Sequence, residues 1–143
     1  MNKALYIYTD GGSRGNPGES AIGVYVENEH GRQLLSGGEP IGIATNNIAE
    51  YKAILFAITW LCKNKKLLDK DTKIYFFMDS QLAYSQLTGL YKIKNAALKN
   101  LLFKIREKEA ELGLVVSYAY ISREKNKKAD SLVNMALNKA KSL

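Results

Sequence analysis

The chain has 143 residues, 46% of them hydrophobic, and a formal net charge of +7. That length is enough for one domain, residues 1–143, with a substantial core. The five apolar or aromatic residues from Ala4 to Tyr8 are too few for a signal peptide, and no apolar run is long enough to span a bilayer. The expectation is a cytoplasmic monomer, with Cys62 as a small core hydrophobe rather than half of a disulfide. The positive charge suits a polyanionic partner, because lysines and arginines that neutralise phosphates release counterions. Taken alone, the charge is also explained by a solvated basic surface.

In chain order, Ala4 to Thr9 reads as a strand, and Ser20 to Glu27 and Arg32 to Gly37 as hairpin arms turning at Asn28 to Gly31. Thr45, Asn46 and Asn47 offer capping side chains to a helix whose Ala53, Ile54, Ala57, Ile58 and Leu61 recur at helical spacing. Lys73 to Met78 reads as a buried strand, Ser80 to Leu87 as a short helix and Ala96 to Leu112 as a longer one. Val115 to Ile121 reads as a strand and Lys127 to Lys141 as the last helix. The order βββαβααβα implies an α/β domain with a mixed sheet, an antiparallel meander followed by parallel strands reached through helical crossovers.

The stretch YTDGGSRGNPGESAIG places Asp10 at the end of the first strand and then a glycine-rich loop with turn chemistry at Asn16-Pro17-Gly18. It lacks the Gly-Lys-Ser/Thr ending of a phosphate-cradling loop. Asp79 ends the most apolar strand, so parallel neighbours would set its carboxylate beside that of Asp10. Glu50 falls on the buried stripe of its helix, and Asp130, in the first turn of the last helix, shares a face with Val133 and Leu137. Each acid alone suits a helix start or a strand-ending turn. Four meeting at one sheet edge would repel unless a hard cation neutralised them, and an all-oxygen site of this kind suits Mg²⁺ or Mn²⁺. A carboxylate-bridged metal pair is an arrangement used in phosphodiester hydrolysis.

These residues resemble type 1 ribonuclease H over essentially the whole chain, through YTDGGSRGNPG, TNNIAEYKAI, FFMDSQL, YKIKN and SREKNKKADSLVNMAL in the family's order. The resemblance implies a ribonuclease H-like fold, a five-stranded mixed sheet of three antiparallel then two parallel strands with helices on both faces. It implies two divalent metals, Mg²⁺ with Mn²⁺ as a substitute. The activity it implies is endonucleolytic cleavage of the RNA strand of an RNA/DNA hybrid, leaving 5′-phosphate and 3′-hydroxyl ends. By motif position, Asp10, Glu50, Asp79 and Asp130 fall on the family's four metal-binding acids. Gly11, Gly12, Asn16, Thr45, Asn46, Asn47, Gln81, Lys94 and Asn95 fall where the family meets its substrate, with the glycines letting the RNA strand approach Asp10. Asn16, Asn47 and Gln81 would lie along the minor groove, where a 2′-hydroxyl tells RNA from DNA.

Two features depart from the family. Tyr120 or Ser122 stands where many members carry a histidine before the last acid, and Arg123, Glu124 or Lys125 are candidate substitutes. The only histidine, His30, falls in the hairpin turn. LTGLYKIKN is also too short for the basic protrusion of some relatives, which leaves Lys92, Lys94, Lys99 and Lys104 either as the hybrid's counter-charges or as a solvated face. The first strand begins almost at Met1, which suggests a form without a separate hybrid-binding domain. Two rival functions remain at this point: a binding module that has lost catalysis, and a DNA nuclease on the same fold.

Overall fold

The computed structural model describes residues 2–141. The strands are β1 (Ala4–Gly15), β2 (Gly18–Asn28), β3 (Gln33–Ala44), β4 (Lys73–Met78) and β5 (Val116–Tyr120). The α-helices are α1 (Asn46–Lys63), α2 (Gln81–Leu87), α3 (Ala96–Leu112) and α4 (Lys127–Lys141), in the order expected from the sequence. The strands form one mixed sheet ordered β3-β2-β1-β4-β5, antiparallel among β1 to β3 and parallel from β1 through β4 to β5.

One face of the sheet packs its apolar side chains, Leu5, Ile7, Val24, Val26, Ile74 and Phe76, against Tyr51, Ile54, Ile58 and Leu61 of α1 and Leu98 and Ile105 of α3. Each fully buried large side chain contributes about 1.5–3 kcal/mol of transfer free energy, so this cluster dominates stability. The α1 helix starts where the sequence predicts: Thr45 is its N-cap, and its Oγ1 accepts from the Ile48 N–H at 3.2 Å. That cap is worth about 1 kcal/mol. On the opposite face α4 covers β1 to β3, with Val133, Ala136 and Leu137 packed around Ala21.

The structure corrects the reading of the glycine stretch. β1 does not end at Asp10; it runs to Gly15, paired with β2 from Leu5↔Asn28 to Gly15↔Gly18, and the turn is confined to Asn16 and Pro17. β3 likewise extends past Gly37 to Ala44. The parallel ladder with β4, by contrast, stops at Tyr8↔Phe77. β1 and β4 therefore fork just before Asp10 and Asp79, and the carboxylates sit at the mouth of that fork.

Glycines let both helices come down onto the sheet. A Cβ on Gly11 would lie 2.2 Å from the Ala49 carbonyl carbon and 2.4 Å from the Glu50 nitrogen, so glycine at 11 is what admits the start of α1. On the α4 side, a Cβ on Gly23 would lie 2.3 Å from the Ala129 oxygen, and one on Gly38 would lie 2.4 Å from the Leu132 oxygen. Gly23 pairs with Asp10 across one ladder and with Gly38 across the next, so these two glycines form a seat for the turn of α4 that carries Asp130. Contacts this short cannot exist between real atoms, and a methyl group there forces helix and sheet apart.

Candidate active site

The acids arrive from four elements. Asp10 lies within β1, Glu50 in the second turn of α1, Asp79 directly after β4 and Asp130 near the start of α4. Carboxylate oxygens of Asp10, Glu50 and Asp79 all lie within 4.8 Å of one another. Asp130, near the start of α4, is not one of that trio. It lines the same cleft of about 430 Å³, and its charge acts on Asp10.

The site is electrostatically strained. Asp10 is 6% exposed and Glu50 7%, far more buried than acids tolerate without a partner. Burial first, and then the charge of Asp79, push the Asp10 carboxyl up to about 7. Burial, followed by the charges of Asp10 and Asp79, lifts Glu50 well above its ordinary range. The Glu50 Oε2 atom is buried and has no hydrogen-bond partner. Crowded oxygens with an orphan among them, and no nitrogen or sulfur donor in the trio, match the preference of a hard divalent cation.

The residues expected to meet substrate divide into two groups. Gly11, Gly12, Asn46 and Asn47 line the acid cleft, whereas Asn16, Thr45, Gln81, Lys94 and Asn95 lie outside it. Asn16 and Asn46 are tied together at the mouth: the Asn46 N–H donates to Asn16 Oδ1 at 3.0 Å, and the Ser13 N–H donates to Asn46 Oδ1 at 2.9 Å. Thr45 and Asn95 use their side-chain oxygens to cap α1 and α3. Gln81 and Lys94 are exposed. The missing side chain of Gly11, which lines the cleft, also makes room for the start of α1.

Three cleft features escaped the sequence reading or were left open by it. Arg14 lines the cleft and its guanidinium donates to Asn138 Oδ1 at 2.6 Å. Of the three candidate substitutes for the histidine, Arg123 lines the cleft, while Glu124 and Lys125 line a separate depression beside Tyr8 and Tyr25. Asn126, 1% exposed, donates from Nδ2 to the Thr9 carbonyl at 2.9 Å and to Asp79 Oδ2 at 3.3 Å. Its one sequence signal is an asparagine four residues before an acid, which is ordinary at the start of a helix. His30 is exposed, as expected.

A family model described as reverse transcriptase-like matches residues 8–136. Ribonuclease HI of Halobacterium salinarum is 35% identical over 137 residues, which is 95% of this chain and 65% of that protein. The bifunctional protein Rv2228c of Mycobacterium tuberculosis is 33% identical over 137 residues, again 95% of this chain but 36% of its own length, so the chain spans about a third of that relative. Among solved structures, LC11-RNase H1, isolated from compost and crystallised with an RNA/DNA hybrid, superposes with a TM-score of 0.87 at 40% identity, covering 95% of this chain and 98% of that one. With four acids from four elements converging on one cleft of a β3-β2-β1-β4-β5 sheet, and with these relatives matching nearly its full length, the chain belongs to the type 1 ribonuclease H family.

Proposed function

We propose that this chain is an endonuclease that hydrolyses the RNA strand of RNA/DNA hybrids in a metal-dependent reaction, leaving 5′-phosphate and 3′-hydroxyl ends. The observation that carries the proposal is the buried Asp10, Glu50 and Asp79 trio, with the Glu50 Oε2 orphaned and Asp10 pushed up to about 7. Positive charge is what relieves such a cluster. The residues that would hold two Mg²⁺, or Mn²⁺ in their place, are Asp10, Glu50, Asp79 and Asp130. When bound, such a pair lowers the pKa of an attacking water and stabilises both oxygens of an in-line displacement.

The chain's own side chains contribute positioning. Asp10 lies within β1 and Asp79 directly follows β4, both just past the last pair of the parallel ladder at Tyr8↔Phe77, so the pairing of the two strands brings the acids side by side. Asn46 and Asn47, at the start of α1, are read as contacts to the strands of the hybrid, together with Gly12, Asn16, Thr45, Gln81, Lys94 and Asn95. Hydrogen bonds from Asn16, Asn47 and Gln81 to ribose would favour RNA over DNA. Arg123 and Arg14 bring positive charge to an otherwise acidic cleft, where a scissile phosphate must approach. The protein is read as a one-domain monomer acting in the cytoplasm.

The test compares an RNA/DNA hybrid, a DNA duplex and a double-stranded RNA of the same sequence, with the ends of any products identified. The proposal expects cleavage of the hybrid's RNA strand alone, with 5′-phosphate ends. Cutting of the DNA duplex in preference to the hybrid would replace it with the DNA-nuclease reading.

A further inference from the structure

At the fork between β1 and β4 the ladder stops at Tyr8↔Phe77, so the Thr9 carbonyl has lost its β4 neighbour. Asn126 occupies that place. Its Nδ2 donates to the Thr9 carbonyl at 2.9 Å and to Asp79 Oδ2 at 3.3 Å, while its backbone carbonyl accepts from the Asp130 N–H at 3.1 Å. One residue thus touches the strand next to Asp10, the carboxylate of Asp79 and the helix turn of Asp130. Its Oδ1 is buried without a partner, so the amide is held by its donor end alone. The amide orientation follows from chemistry, since reversing it would turn an oxygen toward a carbonyl and a carboxylate.

We infer that Asn126 is a positioning residue that clamps the mouth of the β1/β4 fork and orients the Asp79 carboxylate for metal binding. This rests on the metal-dependent reading of the acid cleft. A group that hydrogen-bonds a ligating carboxylate sets which oxygen lone pairs face the ion, and losing it commonly weakens metal affinity by about 10–100-fold. Asparagine suits the position better than a charged donor, because a lysine or arginine at the fork would itself neutralise Asp79 and compete with the cation. An aspartate there would add a like charge beside Asp79.

The test measures binding of Mg²⁺ and Mn²⁺ to the full chain by calorimetry, without nucleic acid, for the wild type and Asn126→Ala, with a thermal melt of each. The expected result is a folded variant whose metal midpoint is about tenfold higher. A folded variant that melts earlier and keeps the wild-type midpoint would make Asn126 a structural residue only and overturn the inference while leaving the proposed activity intact. If Asn126→Ala does not fold, the wild-type Asn126 side-chain NH₂ resonance decides: it should shift with the same midpoint as metal binding, and a signal unmoved at saturating Mg²⁺ overturns the inference. A wild type that binds neither metal, and cuts no hybrid, overturns both readings.

Discussion

Gly38→Ala isolates the effect of the glycine seat, because Gly38 does not line the acid cleft and does not adopt a left-handed φ. The added methyl would stand 2.4 Å from the Leu132 oxygen and 3.0 Å from its carbonyl carbon. That is about 1 Å short of ordinary contact. Either α4 lifts off the sheet or β3, an edge strand, bends away. Overpacking of this kind costs about 1–3 kcal/mol, and each kcal/mol lowers Tm by about 2–4 °C in a chain approaching this size. Because Asp130 lies half a turn before Leu132, a shift of α4 moves an acid of the cleft, and displacement by about 1 Å can cost on the order of 100-fold in rate. The assay pairs a thermal melt with hybrid cleavage and uses Gly37→Ala as the control, since a Cβ at 37 meets nothing within 4 Å. A Gly38→Ala protein with a lowered Tm and wild-type cleavage would show that β3 yields instead, and would refute the claim that the seat sets the position of Asp130.

Metal-free stability should fall as pH rises. The folded state holds protons on Asp10 up to about 7 against an ordinary 3.8, so across that window it binds more protons than the unfolded chain and loses stability with each step upward. Melts in EDTA should show this fall, Asp10→Asn should flatten it and Mg²⁺ should reverse it by binding the ionised site; metal-free stability that rises through the window contradicts the account. Arg123→Ala should lower hybrid turnover by roughly tenfold, less than the loss of a buried donor because Arg123 is exposed. Glu124→Ala and Lys125→Ala should leave turnover near wild type, and equal losses in all three would remove the special place of Arg123. Replacing Lys92 and Lys94 by Glu should weaken hybrid binding and reduce its salt slope by about one for each phosphate that is no longer neutralised. An unchanged slope would make those lysines a solvated face.

Much of the fold was legible because its signals are local. The capping Thr45, the apolar stripe of α1 and the uninterrupted apolar run of β4 depend on neighbours three or four residues away, and each sits where the pattern predicts. Asp10 and Asp79 could be paired because parallel topology follows from the crossover helix. The continuation of β1 through Gly11 to Gly15 could not be read, because glycine is a poor strand former in isolation and the same letters spell a loop. What makes a strand of them is tertiary: β2 pairs with their backbone while α1 and α4 occupy the space that side chains would fill. Asn126 was hidden for a related reason, since an asparagine among lysines at a helix start is common and its partners, Thr9 and Asp79, lie 117 and 47 residues away. Asp130, expected to point inward, lines the cleft with the other acids, and the packing of α4 on the sheet that puts it there is not something periodicity measures.

The most direct test of the central claim is cleavage of an RNA/DNA hybrid, labelled on each strand in turn, with Mg²⁺, with Mn²⁺ and with EDTA, beside the Asp79→Asn variant. The account expects the RNA strand alone to be cut, only with metal, and the variant to bind the hybrid without cutting it. A wild-type protein that binds the hybrid yet cuts neither strand with either metal would contradict it, and the acid cleft would then belong to a nucleic-acid-binding module.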